Sequence, residues 1–289
     1  MNNFAIAGIQ LDAINGDNLD QMTKQVDQVM KRYPWVQMIM FGELCVFGTS
    51  FSSAQTMPGT IENHFCGIAK KYNIWLIPGS MYEIDGDKIY NTAPVINPQG
   101  EVVTRHRKLF PFEPYEKGVE CGQQHTVFDI PDVGRFGVSI CYDMWFPETV
   151  RALAYLGAEV ILHPTLTSTL DRDLELSIAR SSAITNQCYF VDINSSGSLG
   201  NGKSIVVGPE GEVIHQSDRT EEQIPVTLDL DRVEFTREYG TLGLGQPLKS
   251  FRDHKISYPQ YQSGATSEAF NRLGSLKKPE CMRQHKRSG

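Results

Sequence analysis

The chain has 289 residues, of which 40% are hydrophobic and 21% charged, with a formal net charge of -7. That length and balance suit a globular protein with a sizeable core, and the acidic excess argues against broad contact with a nucleic-acid backbone, which needs clustered Lys and Arg. No apolar run is long enough to span a bilayer, the six cysteines form no C-x-x-C pair and read as reduced thiols, and the seven histidines are too dispersed for a metal site.

The first predicted element is a strand, "FAIAGI". The residues before it lack a basic n-region or a cleavage pattern, so no signal peptide and a cytoplasmic location are expected. "NLDQMTKQVDQVMKRY" places Leu19, Met22, Val26, Val29 and Met30 at helical spacing. The strand "VQMIMF", the helix "ENHFCGIAKKY" and the strand "NIWLIPGS" follow. "TAPVI" and "EVVTR" then form two strands across a Pro/Gly turn. After a long loop come the strand "FGVSI" and the helix "PETVRALAYLG". Pro147 suits the first turn of that helix and Gly157 its end. "AEVILH", the helical "LELSIARSSAITN", "CYFVDI", the pair "SIVVG" and "EVIHQ", and "IPVTLDL" complete the series. Several strands are near-continuous apolar runs, as expected for strands buried on both faces.

The chain echoes itself. "INPQGEVV" and "VGPEGEVI" share P-x-G-E-V, each joins two β runs, and each follows a helix and a strand. This predicts one α/β domain, residues 1–235, made of two similar halves. Residues 236–289 are polar and Gly-rich and read as an extension packed over the surface or reaching a partner subunit. Their basic end, "KKPECMRQHKRSG", reads as a solvated tail.

"GSLGNGKS", residues 197–204, has the G-x-x-x-x-G-K-S form of a phosphate loop. A phosphate loop must lead into a helix, whose N-terminus holds the anion. Here Lys203 and Ser204 lead into "IVVGPEGEV", a strand and a turn, so the segment is expected to be a loop before a hairpin.

Three strand ends carry residues suited to chemistry. Cys141 stands where the apolar "GVSI" meets a helix, a setting in which backbone N–H groups activate a thiol and receive an oxyanion. A thiol at a strand end is otherwise a small buried hydrophobe. Histidine is the usual base for a thiol, and His163 in "ILHPTLT" is the best placed of the seven. Glu43 in "MIMFGELCVFG" is a carboxylate among apolar residues, costly unless paired or functional. Lys108 ends "VVTRHRK" before an aromatic, Pro-rich loop that holds Glu113 and Glu116.

In that order, "FGELC" around Glu43, "RKLFPFEPYEKG" around Lys108 and "GVSICYDMWFPE" around Cys141 resemble the nitrilase (carbon–nitrogen hydrolase) superfamily, and so do the flanks "GAEVILHPT", "ARSSAITNQCYFVDINSSG" and "GKSIVVGPEGEVI". The resemblance implies a four-layer α-β-β-α sandwich that pairs into homodimers or higher homo-oligomers. It implies Glu43 as general base, Lys108 as oxyanion-stabilising lysine and Cys141 as nucleophile. Glu116 matches the second glutamate beside the triad, and Tyr142 would lend its backbone N–H to the oxyanion. The implied substrate is a small-molecule amide, and the chemistry requires no metal or organic cofactor.

Nitrile-hydrolysing members typically carry C-W-E at the nucleophile, whereas "CYD" leans towards an amidase. "CYDMWFPE" is similar to the C-Y-D-x-R-F-P-E pattern of ω-amidases and related enzymes, with Trp145 in the arginine's place. An indole offers an apolar wall. A small neutral amide is therefore expected, in a pocket lined by Tyr115, Trp145, Thr165 and Leu166. A nitrilase or N-carbamoyl hydrolase on the same triad is the alternative, and a catalytically silent binding protein of the same fold is a third reading.

Overall fold

The computed structural model describes residues 2–278, so Cys281 and most of the basic tail lie outside the described residues. The first half of the chain runs β1 (Asn3–Gln10), β2 (Asp12–Ala13), α1 (Leu19–Arg32), β3 (Met38–Phe41), β4 (Gln55–Thr56), α2 (Thr60–Tyr72), β5 (Trp75–Ile77), β6 (Met81–Asp85), β7 (Lys88–Ile96) and β8 (Val102–Arg107). The second half runs β9 (Thr126–Ile130), β10 (Gly134–Val138), α3 (Pro147–Tyr155), β11 (Val160–Thr165), α4 (Arg172–Asn186), β12 (Tyr189–Asn194), β13 (Ser196–Gly197), β14 (Ile205–Val207), β15 (Val213–Gln216) and β16 (Glu222–Asp229). Helices α5 (Asp231–Tyr239) and α6 (Pro247–Asp253) follow.

The internal echo is a repeated topology. In the first sheet β1, β3 and β5 are parallel neighbours, and β7 and β8 continue antiparallel. In the second, β10, β11 and β12 are parallel neighbours, and β14 and β15 continue antiparallel. Each sheet carries one antiparallel strand on its other flank, β16 beside β1 and β9 beside β10. The two P-x-G-E-V segments are the two hairpin turns.

Side chains assign the layers. Phe4, Met38 and Ile77 of the first sheet pack against Phe136, Leu162 and Val191 of the second in one buried cluster, with the sheets face to face. On the outer face of the first sheet, Ile9, Ile39 and Leu76 meet Met22, Val26 and Phe65 of α1 and α2. On the outer face of the second, Ile161 and Phe190 meet Val150, Leu153 and Ala183 of α3 and α4. The result is the α-β-β-α sandwich. Strands β3 and β8 run in one direction in their sheet, as do β10 and β11 in theirs, so each pair ends at a common edge, where α/β proteins place their sites.

Candidate active site

Glu43 follows β3. Its N–H donates to the Thr165 carbonyl at 3.0 Å, which ties the end of β3 to the end of β11 in the other sheet. The next residue, Leu44, has φ +48 and donates its N–H to Ser80 Oγ at 3.1 Å. Gly79 beside it has φ +76, and a Cβ there would sit 1.8 Å from the Gly42 oxygen, so only glycine fits. Lys108 directly follows β8 and donates its N–H to the Asn91 carbonyl on β7 at 2.8 Å.

Cys141 is placed differently from the sequence expectation. Strand β10 ends at Val138, and Cys141 opens a short 3-10 turn, Cys141–Trp145, with φ +46. A non-glycine residue in the left-handed region costs about 1–2 kcal/mol and marks a strained turn. Asp143 holds that turn. Its Oδ2 accepts the Ile140 N–H at 2.9 Å, and its Oδ1 accepts the Phe110 N–H at 2.8 Å. One buried carboxylate therefore joins the Cys141 turn to the loop after Lys108. His106 Nε2 stands 3.3 Å from Asp143 Oδ2 and completes the clamp.

Glu43, Lys108, Glu116 and Cys141 are all buried around one cavity. Lys108 Nζ donates to Glu43 Oε1 at 2.7 Å and to Glu116 Oε2 at 2.6 Å. Asn91 Nδ2 donates to the same two carboxylates, at 2.8 Å to Glu43 and 3.0 Å to Glu116. The Phe112 N–H adds a 2.6 Å bond to Glu116 Oε2. Cys141 Sγ lies 3.8 Å from the Leu166 carbonyl oxygen.

Electrostatics separate the two glutamates. Burial raises the Glu43 carboxyl above its ordinary range, and the neighbouring Glu116 charge adds to the rise against the pull of Lys108. For Glu116, burial is outweighed by Lys108 and its hydrogen bonds, and its carboxyl is lowered. Burial opposes the Lys108 charge, but Glu43, Cys141 and Glu116 hold the ammonium well above its usual value. Burial and then the Glu43 charge push the Cys141 thiol well above the ordinary thiol range, so it rests protonated.

The cavity has a volume of about 940 Å³. Tyr115, Tyr142, Trp145 and Leu166 line it; Thr165 is not among the lining residues, and its buried side chain stands beside the Cys141 thiol. His163 is also fully buried and away from the lining, with Nδ1 2.7 Å from Ser139 Oγ. Burial and nearby cations push His163 down to about 3. The segment 201–203 is the expected loop before β14, and Asn201 and Lys203 line the cavity. Asn91, Asp143, Arg172 and Glu175 join the site without having been singled out in the sequence.

Fold and site together define a hydrolase of the α-β-β-α sandwich class. The chain belongs to the carbon–nitrogen hydrolase family, whose model matches residues 5–238, and with it to the amidase-like branch of the nitrilase superfamily. It is 30% identical to the ω-amidase Nit3 of Saccharomyces cerevisiae over 81% of this chain and 89% of that protein. The crystal structure of Nit3 superposes with a TM-score of 0.76 at 29% identity, covering 82% of this chain and 94% of that one. A formamidase of Bacillus cereus is 29% identical over 84% of this chain and 80% of its own length. A glutamate-to-glutamine mutant of the amidase from Nesterenkonia sp. AN1 superposes with a TM-score of 0.72 at 25% identity over 81% of this chain and 97% of that one, and in that structure acrylamide is added to the active-site cysteine. The protein is an amidase, a hydrolase of carbon–nitrogen bonds. Among the described residues no helix is long and apolar enough to cross a membrane.

Proposed function

We propose that the protein cleaves a small carboxamide to its carboxylic acid and ammonia through a thioester on Cys141, with Glu43 as base, Lys108 as oxyanion partner and Glu116 orienting Lys108. The observation that carries this reading is the buried Glu43–Lys108–Glu116 set, closed at 2.7 and 2.6 Å, around a cavity shared with a thiol on a strained turn. The sulfur attacks the amide carbon while Glu43 takes the thiol proton, because the resting thiol is not ionised. The Lys108 ammonium and the Tyr142 backbone N–H receive the oxyanion. Glu43 passes its proton to the nitrogen, the C–N bond breaks and ammonia leaves. Glu43 then takes a proton from water, whose oxygen attacks the thioester carbon. The C–S bond breaks and the proton returns to Cys141. We further propose that the protein works as a homodimer or higher homo-oligomer, with residues 236–289 contributing to the contact.

The test combines two variants. Cys141→Ala is expected to abolish turnover with an unchanged circular dichroism spectrum. Glu43→Gln is expected to lose about 10²–10⁴-fold in amide turnover. Given an activated ester, whose leaving group departs without a proton from Glu43, it should accumulate one acyl adduct on the peptide carrying Cys141. Matched nitrile and carbamoyl compounds should be turned over less well than the amide. An adduct on another residue, or turnover by Cys141→Ala, overturns the proposal.

A further inference from the structure

Among the described residues, every buried cation of the cavity is already held by carboxylates. Lys108 lies between Glu43 and Glu116. Arg172, only 1% exposed, is the second buried cation of the lining. Its Nη1 is 3.1 Å from Glu175 Oε2 and 2.9 Å from Asp192 Oδ2, and its Nη2 donates to the Lys203 carbonyl at 2.8 Å. Four buried carboxylates (Glu43, Glu116, Glu175 and Asp192) thus surround two buried cations. The surplus registers in the protein's own acids. Burial, with Glu175 adding to it against Arg172, pushes Asp192 up to about 6, and burial and Glu116 raise Glu43 against Lys108. At the rim, Lys203 is engaged by Asp173 at 2.5 Å, while Arg219 and Lys278, the latter over the Tyr115 ring at 5.0 Å, are exposed to solvent and lie outside the buried part of the site.

Glu175 also fixes the apolar wall. It accepts from Thr167 Oγ1 at 2.8 Å and from the Trp145 indole N–H at 3.4 Å. The indole stands against Tyr142, with ring centroids 6.3 Å apart, and Tyr142 against Phe112 at 4.9 Å. A substrate lying on Cys141 therefore meets aromatic rings and a carboxylate whose cation is taken.

We propose that this cavity selects amides whose distal end is uncharged and rejects those ending in a carboxylate, and that Glu175, through its hold on Trp145 and Arg172, is the residue that sets the selection. A distal carboxylate would give up its water, find no free buried cation, and add to an existing excess of negative charge. An uncharged end loses little water and gains the aromatic wall. The inference deepens the amidohydrolase reading above and rests on it.

The experiment compares two amides of matched shape in the full-length protein: glutaramate, which ends in a carboxylate, and 5-methylhexanamide, which carries an isopropyl group in its place. We expect kcat/KM to favour the neutral amide by at least about a hundredfold, the scale on which sites reject a group they leave unpaired. Glu175→Gln, which frees part of the Arg172 charge, should cut that ratio about tenfold, a change that general damage to the site would not make because both substrates would suffer alike. Trp145→Arg, which brings a cation to the wall, should cut it as well and serves if the first variant does not fold. Protection of Cys141 from iodoacetamide reads binding without turnover and should rank the two compounds in the same order. Equal or better use of glutaramate by the native protein, or a ratio unmoved in both variants, overturns the inference. Absence of ammonia release from either amide would instead count against the amidohydrolase reading, and the protection order would still decide this one.

Discussion

Replacing Asn91 by Leu removes one side chain that holds both glutamates and keeps roughly its volume. Asn91 Nδ2 donates to Glu43 Oε1 at 2.8 Å and to Glu116 Oε1 at 3.0 Å, in a buried site. A hydrogen bond to a charged group contributes about 1.5–3 kcal/mol. The bond favours the ionised carboxylate, so its loss raises Glu43 further. Lys108 still donates to the same Glu43 oxygen at 2.7 Å, which limits the rise. Glu43 acts as a base only when ionised, and its carboxyl already sits above the ordinary range. The acid limb of log kcat/KM against pH should therefore move to higher pH, by no more than the free energy of that one hydrogen bond, while the plateau at higher pH falls much less. The assay is ammonia release from one amide across the pH range, with thermal unfolding followed at each pH. An acid limb that stays in place or moves down, with a uniform loss of rate, would refute Glu43 as the titrating base or Asn91 as its support.

Two further predictions concern different parts of the molecule. In Glu116→Gln the like charge that raises Glu43 is gone, and so is one of the charges that hold Lys108 up, so both limbs of the pH profile should move to lower pH, opposite in sign to Asn91→Leu at the acid side; a fixed acid limb would argue against the coupling. Phe251, Ile256, Tyr258, Phe270 and Leu273 are all exposed in the extension, and exposed apolar residues of this kind gain from self-association. Truncation before Phe251 is expected to lower the mass measured by light scattering, and an unchanged mass with an unchanged melting temperature would count against a role in assembly.

Glu43, Lys108 and Cys141 were legible because three strand-end motifs, each weak alone, occur together in one order, and the two halves because the hairpin turns repeat a five-residue pattern. The residues that hold the set together were not. Asn91 lies 48 positions from Glu43 and 25 from Glu116, and its importance arises only when β7 and β8 pair. A polar amide inside the strand "KIYNTAPVI", buried in the fold, was the one available signal. Asp143 belonged to a motif already in view, yet its bonds to the Ile140 and Phe110 N–H groups depend on a turn that the sequence reads as the end of a strand. Residue type does not announce the positive φ of Cys141, because that conformation is disfavoured for every residue with a Cβ. Strands β6 and β9 escaped for a related reason: "MYEID" and "TVFDI" are short and carry acidic residues among the apolar ones.

The segment "GSLGNGKS" shows how the remaining part of the site is built. Its resemblance to a phosphate loop lies in residue types alone, and the strand β14 that follows removes the helix such a loop needs. What the segment does in the fold is tie down a neighbouring stretch of backbone. The Asn201 N–H donates to the Thr167 carbonyl at 2.9 Å, Asn201 Nδ2 donates to the Thr169 carbonyl at 2.9 Å, and the Lys203 carbonyl accepts from Arg172. These bonds fix the stretch from Thr167 to Arg172, on which Glu175 and then Trp145 depend. The catalytic set comes from strand ends that the hydrophobic pattern positions, whereas the distal wall comes from a loop strapped to the start of α4. Substitutions at the loop should therefore alter which amide is accepted before they alter how the carbonyl is attacked.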